Sequence, residues 1–241
     1  MTEALESHLR RQIEHSQRLF WHRLRWRVAR SYLPDHAPFE LVDVGAGAGL
    51  LGTYLQRDRP QATYRFVEPI ESLRHMLRGR YGASADVGAA ADYGGARFVT
   101  LLDVLEHQQD DRAFLSALVA KMAPGSTLLL MVPAQQSLWS EWDVALGHFR
   151  RYDTATLLAC AEGLPLTVHE TSYLFPEMVP LARWRKRTRA KAGRASADRA
   201  EFPDLPRVVN DVLYGAGSAS VALRRRWRTG TSLFMAATRD G

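Results

Sequence analysis

Phe39-Glu40-Leu41-Val42-Asp43-Val44-Gly45-Ala46-Gly47-Ala48-Gly49-Leu50-Leu51-Gly52 decides the fold. Its apolar run breaks into alternating glycines and resumes at helical spacing, which reads as strand, tight loop and helix. Phe39, Leu41, Val42 and Val44 suit a strand buried on both faces of a parallel sheet, while the glycines allow positive φ and let a ligand approach bare backbone. A small ligand is expected there. Gly47-Ala48-Gly49-Leu50-Leu51-Gly52 also satisfies the dinucleotide spacing G-x-G-x-x-G, but a pyrophosphate loop places its first glycine at the strand's end. Here the strand ends at Gly45, just after Asp43, so the register is D-x-G-x-G-x-G.

Outward from this stretch, strands and helices alternate. Tyr64-Arg65-Phe66-Val67-Glu68 reads as a second strand ending in an acid, 83–87 as a short third, 97–103 as a fourth and 126–132 as a fifth. Helices are expected over 50–56, 69–80 and 110–122, the pattern of a doubly wound parallel sheet. Residues 135–152 have no clear period and read as a loop or short helices. Asp153 can cap a helix over 154–162, and 165–174 reads as a sixth strand. Helices follow over 176–191 and 205–228, with 192–206 a mobile connection between them, and 230–237 forms a seventh strand. Ahead of everything, Leu9, Ile13, Leu19, Phe20, Leu24, Val28 and Tyr32 recur at helical spacing, and Pro34 ends that helix.

The D-x-G-x-G-x-G register with Glu68 after it resembles the nucleoside-binding half of class I S-adenosylmethionine-dependent methyltransferases. Phe98-Val99-Thr100-Leu101-Leu102-Asp103-Val104-Leu105-Glu106-His107 is similar to the family's fourth strand and its Leu-Glu-His turn, and Lys121-Met122-Ala123-Pro124-Gly125-Ser126 to its turn into strand five. Asp143 followed by Gly147-His148-Phe149-Arg150-Arg151-Tyr152 resembles a signature of bacterial small-molecule and saccharide methyltransferases. The resemblance covers about residues 39–175, with a weaker echo at Gly230-Thr231-Ser232-Leu233. It implies an α/β fold with a doubly wound, seven-stranded, Rossmann-like sheet, its last strand antiparallel, and a helical insertion before that strand. It further implies a single domain over 1–241, with a lid helix at 1–32, a cofactor-binding core at 39–133 and a substrate side at 134–241.

The implied cofactor is S-adenosyl-L-methionine. Glu68 is placed to accept its two ribose hydroxyls, Gly45, Gly47 and Gly49 to bring backbone against it, and Leu102 and Asp103 to face its amino-acid moiety. Asp43 either holds the loop amides, the favoured role, or binds the ammonium group. Asp92 with Tyr93 is the expected adenine contact, with Asp86 and Val87 competing. On the acceptor side, His148 is the leading catalytic candidate, as a base or as a loop-ordering residue; His107 is a weaker alternative. Arg151 and Tyr152 suit an acidic group on the acceptor, unless Arg151 pairs with Asp143 or Glu141. Trp139 and Trp142 are candidate pocket walls.

The totals exclude several classes. At 241 residues, 46% hydrophobic and 24% charged, the chain suits one globular α/β domain. No apolar run approaches the roughly 18 residues that span a bilayer. The N-terminus has no secretory signal pattern, and a cytoplasmic location is expected. Cys160 is the only cysteine, so no disulfide and no cysteine-based zinc site can form. No histidine and carboxylate cluster shows metal-ligand spacing, so no metal is expected. Net charge is +6, with clusters at 183–194 and 224–228. The reading is methyl transfer to an O or N atom of a small-molecule or saccharide-type acceptor. Its competitors are a scaffold that binds the cofactor without transfer, and a membrane-surface or nucleic-acid-associated protein. The apolar start and basic end of 176–191 suit peripheral membrane contact. An Asp-Pro-Pro-Tyr motif is missing after strand four, so nucleic acid is not expected as partner.

Overall fold

The structure, a computed structural model, describes residues 18–88, 91–192 and 205–241. Six strands form one sheet in the order β2-β1-β3-β4-β6-β5. They are β1 (Phe39–Val44), β2 (Ala62–Val67), β3 (Phe98–Leu102), β4 (Thr127–Pro133), β5 (Leu166–Leu174) and β6 (Ser232–Arg239). The first four are parallel, and β6 inserts antiparallel between β4 and β5. The helices are α1 (Phe20–Arg30), α2 (Leu50–Asp58), α3 (Glu71–Tyr81), α4 (Asp111–Lys121), α5 (Glu141–Ala145), α6 (Thr154–Ala161), α7 (Val179–Ala192) and α8 (Arg207–Ala222).

Successive side chains of a strand point to opposite faces, and here both faces are covered. Leu41, Phe66, Leu129, Met131 and Phe234 share one core with Leu24 and Val28 of α1. Val42, Val44, Val99, Leu101 and Leu130 share the other with Leu115 and Leu118 of α4 and Leu157 of α6. The continuous apolar run of β1 follows from this two-sided burial.

The short third strand expected at 83–87 does not form, which leaves six strands where seven were expected. The chain takes a tight helical turn over Ala83–Ala85, and only Asp86 bridges to Phe66, beyond β2. Gly82 and Gly88 flank the segment at φ +91° and +74°, and Arg74 together with the Gly88 N–H holds the Asp86 carboxylate. A short, alanine-rich stretch between two left-handed glycines offers a sheet few side chains to pack. The expected helix over 205–228 ends at Ala222 and is followed by a turn, Arg224–Arg226. Residues 1–17 of the expected lid helix, and most of the 192–206 connection, lie outside the described residues.

α1 is bound to both the sheet and α8. Phe20 N–H, an orphan donor of the first helical turn, donates to the buried Asn210 Oδ1 at 2.7 Å. Leu24 sits so close to Gly217 that a Cβ there would meet Leu24 Cδ1 at 2.4 Å. At the far sheet edge, buried Glu170 accepts from Tyr32 Oη (2.5 Å), Ser172 Oγ (2.8 Å), Arg224 Nε (2.7 Å) and Arg225 Nε (2.7 Å). Part of the second basic cluster is therefore consumed inside the fold.

Burial pushes the Glu170 carboxyl up, but its four donors outweigh burial and hold it at about 2, against an ordinary 4.5. Its contribution to stability is complete above pH 4.5 and drains as pH falls toward 2. Urea denaturation from pH 6 to pH 2.5 should show Glu170→Gln less stable than wild type at pH 6. The gap should narrow in acid.

Candidate active site

β1 ends at Val44, and the chain turns through Gly45, Gly47 and Gly49 at φ +72°, +55° and +72°. A Cβ at Gly45 would also lie 2.4 Å from Val104 Cγ2, so both backbone and space require glycine. The sequence reading assigns the loop-holding carboxylate to Asp43; the structure assigns it to Glu68. Glu68 accepts the Gly47 N–H at 2.7 Å and the Ile70 N–H at 2.8 Å. Asp43, still inside the strand, faces its neighbours and accepts from Thr100 Oγ1 at 2.7 Å and Tyr64 Oη at 3.0 Å. Burial pushes Asp43 up to about 6 despite these hydroxyls. Burial likewise pushes Glu68 up to about 7, against the opposing pull of its two N–H donors. Each Glu68 oxygen keeps a second lone pair for a ligand hydroxyl.

The facing wall begins where β3 ends. Asp103 adopts φ +56°, a strained conformation for a non-glycine residue, and its N–H donates to the Met131 carbonyl at 2.9 Å. Arg25 of α1 pairs with its carboxylate. The turn Leu105–His107 follows. Glu106 within it is fully buried, and neither carboxylate oxygen has a hydrogen-bond partner. Burial, reinforced by the negative charge of Asp103, holds the Glu106 carboxyl well above the usual range. His107 is pushed down to about 4 by burial and by its neighbour His148, and its ring bonds the Gly147 backbone.

After β4, α5 opens with a capping box in which Asp143 Oδ2 accepts the Ser140 N–H at 2.9 Å. The other Asp143 oxygen collects His148 Nδ1 at 2.9 Å and Arg151 Nε at 2.7 Å. Asp143 is fully buried, which by itself raises its carboxyl, yet these partners hold it below the carboxylate range. The His148 ring meets His107 edge-on, with centroids 4.7 Å apart. One loop thus presents an imidazole and a guanidinium from a single anchored carboxylate.

Both walls border one cleft of about 800 Å³. Asp43, Gly45, Gly47, Glu68, Leu102, Asp103, His148 and Arg151 line it, as do Trp142 and His107. Gly49 sits behind, at the N-terminus of α2. Other expected residues are elsewhere. Tyr152 is buried, its hydroxyl donating to Asp111 Oδ2 at 2.7 Å, so it packs the loop down and lies away from the acceptor side. The Tyr93 ring belongs to the core beside α4, and Asp92 is exposed; neither lines the cleft, where Pro69 and Ile70 follow Glu68 instead. Asp86, the competing residue, is tied to Arg74. Trp139 is likewise not on the lining. Sequence reasoning missed Arg25, one arginine among many in a basic helix, and the place of buried Glu106 against the cleft.

A family model described as a methyltransferase domain matches residues 13–171. The chain belongs to that family. It is an S-adenosylmethionine-dependent methyltransferase, with S-adenosylmethionine as cofactor. No curated protein matches this methyltransferase by sequence. Among solved structures, it resembles a SAM-dependent methyltransferase of Thermotoga maritima at 12% identity and TM-score 0.62, covering 98% of each chain. A chain of the Haloferax volcanii complex containing the Trm112 methyltransferase activator aligns at 14% identity and TM-score 0.62, over 99% of this chain and 96% of that one. Phosphoethanolamine N-methyltransferase 2 of Haemonchus contortus, solved with S-adenosyl-L-methionine, aligns at 12% and 0.56, over 92% of this chain and 53% of that one. At such identities the likenesses establish the fold.

Removing the Asp143 carboxylate leaves the mostly buried Arg151 cation without its partner. Asp143→Ala should cost about 3 kcal/mol, read by urea denaturation at neutral pH, with His148→Ala costing less.

Proposed function

We propose that this methyltransferase moves the S-adenosylmethionine methyl group to an O or N atom of a small-molecule or saccharide-type acceptor. The observation that carries this reading is the single cleft. Its glycine loop and Glu68 form one end, and His107, His148 and Arg151 form the other. Glu68 would accept the ribose hydroxyls, Gly45 and Gly47 would flank the methionine portion, and Leu102 and Asp103 would face its amino-acid end. The sulfonium already activates the methyl, so positioning an acceptor in line with the S–CH3 bond supplies most of the rate. Bound there, the cofactor would supply its activated methyl group to the acceptor's lone pair and would leave as a neutral thioether. His148, oriented through Nδ1 by Asp143, faces the acceptor, and Arg151 supplies a fixed positive charge for an acidic substituent.

A second observation concerns α7, which borders the cleft through Leu181, Ala182, Arg185 and Lys186. Leu181 and, one turn on, Trp184 are 42% and 61% exposed, on the same helix as exposed Arg183 and Arg187. Apolar side chains among cations at a cleft mouth suit a helix resting on an anionic membrane surface, with an amphiphilic acceptor entering from it. Among the described residues no helix is long and apolar enough to cross a membrane.

Calorimetry with S-adenosylhomocysteine tests the first reading. The ribose hydroxyls need an ionised Glu68, whose carboxyl sits at about 7, so affinity should rise from pH 6 to pH 8. In Glu68→Gln the affinity should fall at least about tenfold and lose that pH dependence; an unchanged profile removes Glu68 from the site. Vesicle sedimentation tests the second. Phosphatidylglycerol vesicles should retain wild type more strongly than neutral vesicles, and Trp184→Asp should weaken retention several-fold.

A further inference from the structure

We propose that Glu106, His107 and His148 form a binding site for a divalent first-row transition cation at the acceptor end of the cleft. One ligand atom from each residue lies within 4.8 Å of the others. Glu106 comes from the turn after β3 and His148 from the loop after β4, so no spacing in the sequence announces the set; the expectation that no metal binds rested on spacing alone.

The arrangement around each ligand is what a cation requires. His148 Nδ1 is engaged by Asp143, which leaves Nε2 as its donor position, and the His107 ring is engaged by the Gly147 backbone. Metal-binding histidines are oriented in this manner, the second ring nitrogen bonded to a carboxylate or a carbonyl. Glu106 is fully buried with both oxygens unpartnered, while it borders the cleft. An unpaired buried carboxylate is costly, and a cation removes that cost. Ligand atoms around an ion at roughly 2.1 Å lie about 3–4 Å apart, so the three ligand atoms, now within 4.8 Å of one another, would draw together on binding. Two imidazoles and one carboxylate with remaining positions open suit Zn²⁺, Fe²⁺, Co²⁺ or Mn²⁺ rather than Ca²⁺. Asp103 is already paired with Arg25 and Asp143 with Arg151, so Glu106 is the carboxylate left to meet the cation's charge.

This rests on the cleft being the acceptor site, and it narrows the acceptor to an oxygen donor. A hydroxyl on the cation's open position loses its proton to water more readily. The oxygen's electron pair then forms the C–O bond while the C–S pair stays on sulfur. The products are a methyl ether, a thioether and a proton. His148 serves in this scheme as a ligand.

The test is titration of chelator-stripped full-length protein with CoCl2, followed by visible absorption and calorimetry. One Co²⁺ should bind per chain with d–d bands, ZnCl2 should displace it, and the melting temperature should rise. Glu106→Gln and His148→Gln should each weaken binding by at least about tenfold, and Asp143→Asn by about tenfold. Glu106→Asp, which keeps the carboxylate, should retain the bands should Glu106→Gln fold poorly. Absence of saturable Co²⁺ binding overturns the proposal, as does equal binding by the variants, which would place the ion on surface histidines. Because the readout involves no methyl transfer, a protein that binds S-adenosylhomocysteine but no Co²⁺ loses only this inference. One that binds Co²⁺ but not S-adenosylhomocysteine loses the earlier reading.

Discussion

Burial of both faces of the parallel strands is the constraint on which the rest of the structure depends. With helices packed on each side, the sheet offers ligands only the crevice at its carboxyl ends, where chains leave β1, β2, β3 and β4 and backbone groups lack sheet partners. Every cleft residue discussed above lies at one of those ends or on the segments that close over them. The same constraint explains β6. Entering antiparallel between β4 and β5, it adds core and brings Thr231 and Ser232, at its start, to the crevice lining.

Buried carboxylates organise the crevice, and each meets the cost of burial differently. Asp43 takes two hydroxyl donors from adjacent strands, Glu68 takes two backbone N–H groups, and Asp143 takes an amide, an imidazole and a guanidinium. Asp103 takes an arginine from a helix at the other end of the chain. Glu106 takes nothing. Donors strong enough to outweigh burial leave Asp143 ionised, weaker ones leave Asp43 and Glu68 titrating near neutrality, and Glu106, without a donor, is held well above the usual carboxylate range.

α1, expected as part of a lid, borders the cleft and packs the core at once. Leu24 and Val28 are core residues, whereas Trp21 and Arg25 reach the cleft, and Arg25 holds the strained Asp103. Through Asn210 and Gly217 the helix is also tied to α8, so the segment preceding β6 supports the roof of the site. α7 closes the remaining side, with its apolar and basic residues mixed at the mouth.

By itself the sequence determined whatever depends on local pattern. The two-sided apolar run of β1, the left-handed glycines after it and the acid ending β2 are all short-range features, and they sufficed for the fold, the crevice and the cofactor class. The short third strand failed because its residues carry no strong local preference between two flexible glycines, and packing reduced it to one bridge. Tyr152 was misplaced for a related reason: it adjoins Arg151, but an aromatic ring with a core available turns inward. Tertiary structure alone decided the pairings between distant segments. It moved the loop-holding role from Asp43 to Glu68, set Arg25 on Asp103 and stood His148 against His107 and Glu106. A side chain's chemistry can be read from its own letter, but its partner depends on which strand ends the sheet places side by side.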